Sequence, residues 1–409
     1  MKVFATLFFS LFAAVTGVGI VVPLLPVYAH SLGAGGIYIA LIFASFSLTR
    51  TVFLPCFGRL SDRMGRKPFI VTGLGIYALV SIAFILFSRN VESLIAIRFV
   101  QGIASAMIMP AVQAYVGEIA PKGGEGRTMG RFNLSLFLGL SLGPLIGGAL
   151  NDRFDMNAAF ICMGLAAALG CLLSVWLLPP VRSEAAVRRK THSLPWGRLL
   201  RDGDLAALFI VRMMYALCIG MVWSFLPVLA DAEFHFSAAR IGLLVTLGVL
   251  VSGLTQTPMG YLADRANRKF LVIVGGLIAA AAVYGIELAP DFGSLAAASI
   301  LFGVGGGIVT SAIMALAVVR GNRAGAMGAV MGLINMGHSI GMLLGALLAG
   351  LMMEVLQLRF AFSAGAALLA GSVVVFMIMT RPRTADTDPG LAGSVSAVAL
   401  VAGKIPTGR

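Results

Sequence analysis

Five polar side chains fall inside long apolar stretches of this chain: Arg50, Arg98, Gln101, Arg212 and His338. An ionisable group in hydrocarbon is costly and is usually kept where it faces a partner, a cavity or a travelling charge. The chemistry these residues suit is recognition rather than bond-making. A guanidinium grips a carboxylate or phosphate through two parallel N–H···O bonds. Gln101 follows Arg98 by three residues, one helical turn, and so lies within its reach. The plainer alternatives are that each arginine is satisfied by carbonyls and Gln101, or snorkels to the interface. His338 has an ordinary pKa of about 6.5, which suits a proton carrier, although a buried histidine also serves as a simple hydrogen-bond partner. No Asp or Glu is equally deep: Glu118, Asp231, Glu287 and Glu354 all lie near the ends of apolar runs.

The elements that hold these residues must be membrane helices. Of 409 residues, 59% are hydrophobic and 11% charged, against about half and a quarter in soluble domains. Lipid offers no hydrogen bonds, so spanning segments satisfy their own backbone as helices or closed barrels. The apolar runs are long and do not alternate, which selects helices. Twelve are expected, over 3–29, 37–57, 69–88, 93–118, 128–150, 157–178, 205–230, 238–259, 270–289, 293–319, 325–352 and 360–380. The expected organisation is a bundle over 1–178, a basic linker over 179–204, a second bundle over 205–380 and a disordered tail over 381–409. The linker could tether the halves loosely or form a short helix touching anionic lipid.

The net charge of +13 does not indicate nucleic acid, because it is segregated. Most Lys and Arg lie in alternate loops and the tails, while the opposite loops carry only Arg89, Arg153, Arg240 and Arg359. This is the positive-inside pattern, which places both termini in the cytoplasm of an inner, or cytoplasmic, membrane. The four cysteines lie in or at the ends of apolar runs, so no disulfide is expected.

A ten-residue basic loop occurs twice: Gly58-Arg-Leu-Ser-Asp62-Arg63-Met-Gly-Arg66-Lys67 and Gly260-Tyr-Leu-Ala-Asp264-Arg265-Ala-Asn-Arg268-Lys269. The copies agree at six of ten positions, at a shift of 202 residues (from 58 to 260). Leu25-Pro26-Val27 recurs as Leu226-Pro227-Val228, and Gly130, Gly139, Gly143 and Gly147 recur as Gly328, Gly337, Gly341 and Gly345. The fold is therefore six helices plus six, in parallel repeats. Gly58 is expected to let the chain leave the second helix in a tight turn. Asp62 is expected to latch the first half to the start of the eleventh helix, and Asp264 to do the same for the fifth, since helix N-termini favour carboxylates. Arg63, Arg66 and Lys67 could also do no more than fix topology. In the fifth helix Gly139, Gly143 and Gly147 form one smooth face beside Pro144, read either as a sliding seam between the halves or as plain tight packing. Trp223, Phe225 and Phe12 could line a cavity between the first and seventh helices.

At these residues the chain resembles the major facilitator superfamily, and within it the twelve-helix drug:proton antiporters. Gly58 to Lys67 is similar to the superfamily's loop signature. Gly130-x8-Gly139-x3-Gly143-Pro144-x2-Gly147-Gly148 is similar to the antiporter signature, and Arg98-x-x-Gln101-Gly102 to a looser one. The resemblance implies a fold of two pseudo-symmetric bundles, a loop that holds the cytoplasmic side shut, and export of a small organic compound in exchange for protons. The missing deep carboxylate departs from many such antiporters and puts cationic drugs in doubt. Two alternatives remain: a uniporter or symporter for a small polar or anionic solute, and a membrane sensor or scaffold without flux.

The expectation is thus a secondary transporter, not an enzyme. The only Gly-Lys pair, Gly403-Lys404, precedes Ile405, so no nucleotide-binding P-loop is present. No Cys/His cluster has metal spacing. No cofactor or metal is expected. The partners would be a small-molecule substrate, a coupling ion (a proton) and the lipid bilayer, with the chain a monomer and no nucleic acid involved.

Overall fold

The computed structural model describes residues 2–119, 125–179, 200–323 and 327–381, and the regular structure there is helical. The elements of the first half are α1 (Lys2–Val21), α2 (Leu24–Ser31), α3 (Gly36–Met64), α4 (Arg66–Phe87), α5 (Val91–Ile119), α6 (Glu125–Arg153) and α7 (Met156–Leu177). Those of the second are α8 (Gly203–Ala232), α9 (Ala238–Arg265), α10 (Arg268–Leu288), α11 (Phe292–Arg323), α12 (Met327–Val355) and α13 (Leu358–Met379). Because α1 and α2 together make one span, the helices supply 12 candidate crossings. Most of the expected linker, 180–199, and the tail from 382 lie outside the described residues.

Two expectations need correction. The first helix is not continuous: it breaks at Val22-Pro23. Pro23 and Pro26 both lack an N–H, so this stretch cannot complete its helical ladder. The matching α8 has a single internal proline, Pro227, and stays whole. The second correction concerns Gly58, which does not turn the chain. Helix α3 runs through it to Met64, and the turn falls at Gly65, with φ of 93°. A lone helical glycine costs only about 1 kcal/mol relative to alanine, which the flanking helix outweighs; the left-handed conformation belongs to Gly65. In the second copy α9 likewise runs through Gly260 to Arg265, and Asn267 starts α10 by accepting from the Lys269 and Phe270 amides at 3.0 and 3.4 Å.

The two halves pack alike. In the first, α1 lies on α6 and α7, α5 on α3 and α4, and α4 on α7. In the second, α8 lies on α12 and α13, α11 on α9 and α10, and α10 on α13. The halves meet through α6 on α9 and α3 on α12, a reciprocal pairing of the same two positions in each repeat. Short connections carry their own caps. Asp291 starts α11 by accepting from the Ser294 amide at 2.8 Å, and this bond holds its carboxyl below the usual range.

Candidate functional site

A cavity of about 400 Å³ lies between the halves, within the usual range for small-molecule sites. Its walls come from α1, α3, α4, α5 and α6 on one side and α8, α9, α11 and α12 on the other. Four of the five sequence-selected polar residues reach it: Arg50, Arg98, Arg212 and His338. No Asp, Glu or Lys is among the described lining residues.

Arg98 is 2% exposed. Its NH1 donates to Gln101 Oε1 at 2.7 Å, and its guanidinium lies over Phe46 at 4.4 Å and Phe43 at 5.2 Å from the ring centroids. Such cation–π contacts contribute about 2 kcal/mol each when desolvated. Gln101 stands behind this wall, with its amide nitrogen 3.8 Å from Met163 Sδ, and positions Arg98 rather than lining the cavity. Arg212, 7% exposed, donates from NH1 to Thr310 Oγ1 at 3.2 Å. The Nε atoms of Arg50, Arg98 and Arg212 and Nδ1 of His338 are buried without a hydrogen-bond partner. His338 lies within electrostatic reach of Arg212 and Arg50.

Sequence reasoning missed Tyr77, beside Ser105 and near both Arg50 and Arg98, and Tyr215, one turn beyond Arg212. Both line the cavity. A helical-wheel reading from Arg212 would have found Tyr215; nothing in the sequence marks Tyr77. Of the aromatic candidates, Trp223 lines the cavity, whereas Phe225 is buried in the core.

The glycine-rich face of the fifth membrane span divides between two neighbours. Gly139, Gly143 and Gly147 face α1, in their own half, where a Cβ on Gly139 would lie 3.1 Å from Phe12 O and one on Gly143 2.7 Å from Thr16 O. Gly337, Gly341 and Gly345 face α8 in the same way. The surface between the halves uses two other members of the same signature, Pro144 and Gly148. A Cβ on Gly148 would overlap the Ala238 carbonyl, one on Gly242 the Pro144 carbonyl, and one on Gly36 the Gly350 carbonyl. The placement of Gly130's side is outside the described side chains.

These close approaches cluster at one end, the end bearing Arg89, Arg153, Arg240 and Arg359. There Asp152 caps α9, accepting from the Ala238 and Ala239 amides at 2.8 and 2.9 Å. Glu354 caps α3, accepting from the Ile37 amide at 3.0 Å. Asp152 and Glu354 occupy matching positions of the two repeats, and so do Ile37 and Ala239, at the shift of the basic loops. Nearer mid-membrane, Thr246 Oγ1 donates to Ser141 O at 2.8 Å. The repeat was a signal that could have revealed this pair.

At the opposite, basic end each half ties its own helices. Arg66 pairs with Asp62, and with Glu118 at 3.0 Å, and donates to Ser61 Oγ at 2.9 Å. Lys67 donates to Val175 O at 2.6 Å, at the end of α7; in the second copy Lys269 donates to Thr380 O at 2.7 Å, at the end of α13. Arg268 donates to Ala263 O at 2.9 Å, Arg265 stacks on Tyr261, and Arg63 is exposed. Arg320 pairs with Asp202 and Asp204. Asp62 is thus engaged within its own half in this conformation; the side chain of Asp264 and residues 324–326, before α12, lie outside the description.

The family model for the Major Facilitator Superfamily matches residues 7–231 and 208–405. An uncharacterized MFS-type transporter of Methanocaldococcus jannaschii is 30% identical over 370 residues, covering 88% of this chain and 94% of that protein. Multidrug resistance protein 1 of Bacillus subtilis is 26% identical, covering 85% of this chain and 88% of that one. Among solved structures, a mutant of the nucleoside transporter NupG superposes with a TM-score of 0.79 at 13% identity, covering 93% of this chain and all of that one, which shows the shared fold.

Proposed function

The chain belongs to the major facilitator superfamily of transporters, and from that premise we propose that it is a proton-coupled secondary transporter that exports a small organic compound by alternating access. The observation that carries this reading is the cavity between the halves, lined by both, with the inter-half contacts described above gathered from mid-membrane to one end. On the positive-inside rule that sealed end is outside, so the cavity faces the cytoplasm and loads there. The name of the Bacillus subtilis relative supports export of organic compounds.

Rocking the halves opens the sealed end and closes the basic one. In that second state Asp62 would leave Arg66 for the N-terminus of α12, and Asp264 would approach that of α6, each gaining about 0.3–1 kcal/mol from the helix dipole. Asp62→Asn should then remove the latch and slow the cycle, while Glu118 keeps Arg66 paired in the present state; unchanged turnover would rule the latch out. His338 is the cavity group suited to carry the coupling proton. The chain is read as a monomer in a cytoplasmic membrane. The deciding experiment is flux from proteoliposomes of the purified protein under an imposed pH gradient. Export of a fluorescent organic compound that collapses with a protonophore is expected; absence of gradient-driven flux in either direction would overturn the reading.

A further inference from the structure

We infer that the compound this cavity accepts is an organic anion, a carboxylate or sulfonate on an apolar body. The inference rests on reading the cavity as the transport site. Three guanidiniums face one mid-membrane space, and no acidic side chain among the described lining residues offsets them. Snorkelling does not relieve Arg98 and Arg212, which are 2% and 7% exposed, and Arg50 is half-buried. Each guanidinium has five N–H donors, yet Gln101 takes one from Arg98 and Thr310 one from Arg212, while all three Nε–H groups are without partners. A buried cation without a counter-charge is strongly disfavoured, and removing one partner of a buried pair is destabilising for this reason. The missing partner is therefore the ligand's negative charge, which a guanidinium fork binds with two parallel bonds. An organic cation would add repulsion where no carboxylate receives it.

The remaining walls specify the body. Phe46, Phe137, Trp223 and Phe302 give the cavity a broad aromatic lining, which suits a flat ring system. The positive groups also come from both halves, Arg50 and Arg98 from the first and Arg212 from the second. One bound anion can therefore bridge the halves and lower the repulsion that would oppose their closing around it.

Calorimetric titration of the purified full chain with 2-naphthoate, 2-naphthamide and 2-naphthylmethylammonium compares one ring at three charges. The expected result is at least tenfold tighter binding of naphthoate than of the amide, with the ammonium weakest. Arg98→Gln and Arg212→Gln should each cost naphthoate at least tenfold while leaving the amide unchanged; the ligand ranking on the unaltered chain decides the matter if either variant fails to fold. Equal or tighter binding of the amide or the ammonium, or no binding of any of the three, overturns the inference. The two readings fail separately. Proteoliposome flux of the amide or ammonium without preference for naphthoate would remove the anion and leave the transporter. Tight naphthoate binding without flux would do the reverse.

Discussion

The chemistry of this molecule rests on a few side chains that the membrane should exclude. Arg98 is tolerable because Gln101 takes one donor and Phe46 and Phe43 face its cationic plane; Arg212 donates to Thr310. His338 feels the charges of Arg212 and Arg50 and lines the same cavity, so any proton it accepts joins an already positive space. His338→Gln is therefore expected to abolish pH-gradient-driven flux while leaving exchange of labelled for unlabelled compound at equal pH within about twofold, as uniform substrate binding is untouched. Gradient-driven flux at the unaltered rate would take His338 out of the proton path. The sequence placed these residues in apolar runs and exposed the lack of deep acids. It could not say that they share one space, because they lie on four helices whose rotation a residue list does not contain.

At the scale of the helix, small residues five positions apart do two different jobs. Gly143 meets Thr16 and Gly19 of α1 inside one half, whereas Gly148 meets Ala238 of α9 across the divide. Gly143→Ala should therefore destabilise the bundle by about 1–3 kcal/mol, the usual cost of overpacking, and lower the melting temperature without altering access to the cavity. Gly148→Val should instead disfavour the sealed end. With Cys56 replaced by serine and Leu226→Cys as reporter at the cavity wall, labelling by an impermeant maleimide from the sealed side should rise at least tenfold for Gly148→Val and stay unchanged for Gly143→Ala. Equal labelling in both would show that the glycine at 148 is ordinary packing. The glycine spacing was legible as a smooth stripe, but its direction was not. Every face of a membrane helix is apolar enough for lipid, so the pattern does not say which neighbour it meets.

For the whole molecule the controlling device is the reciprocal pairing of the repeats. Asp152 holds the start of α9 and Glu354 the start of α3, each reaching from one half into the other. Carboxylates at exposed helix N-termini contribute about 0.3–1 kcal/mol each, so the double variant Asp152→Asn, Glu354→Gln should shift the balance away from the sealed state by roughly three- to thirtyfold, since 1.4 kcal/mol is tenfold. The same reporter measures it, and an unchanged labelling rate would reduce both residues to ordinary caps. This arrangement places at the sealed end the carboxylate-to-helix contact that the basic loops led one to expect at the other. Here those loops tie helices within each half, Lys67 to the end of α7 and Lys269 to the end of α13.

The amino-acid sequence alone determined the twelve spans, the duplicated plan, the sidedness of charge and the presence of guanidiniums without deep acids. These follow from length, hydropathy and repetition, which a membrane reads directly along the chain. Only the tertiary structure decided that Arg50, Arg98, Arg212 and His338 face one cavity, that the fifth-helix stripe packs on α1, that Gly65 makes the turn given to Gly58, and which end is sealed. Those outcomes depend on how helices rotate and pair once inside the bilayer. Lipid is indifferent to rotation, so packing and hydrogen bonding between helices settle it.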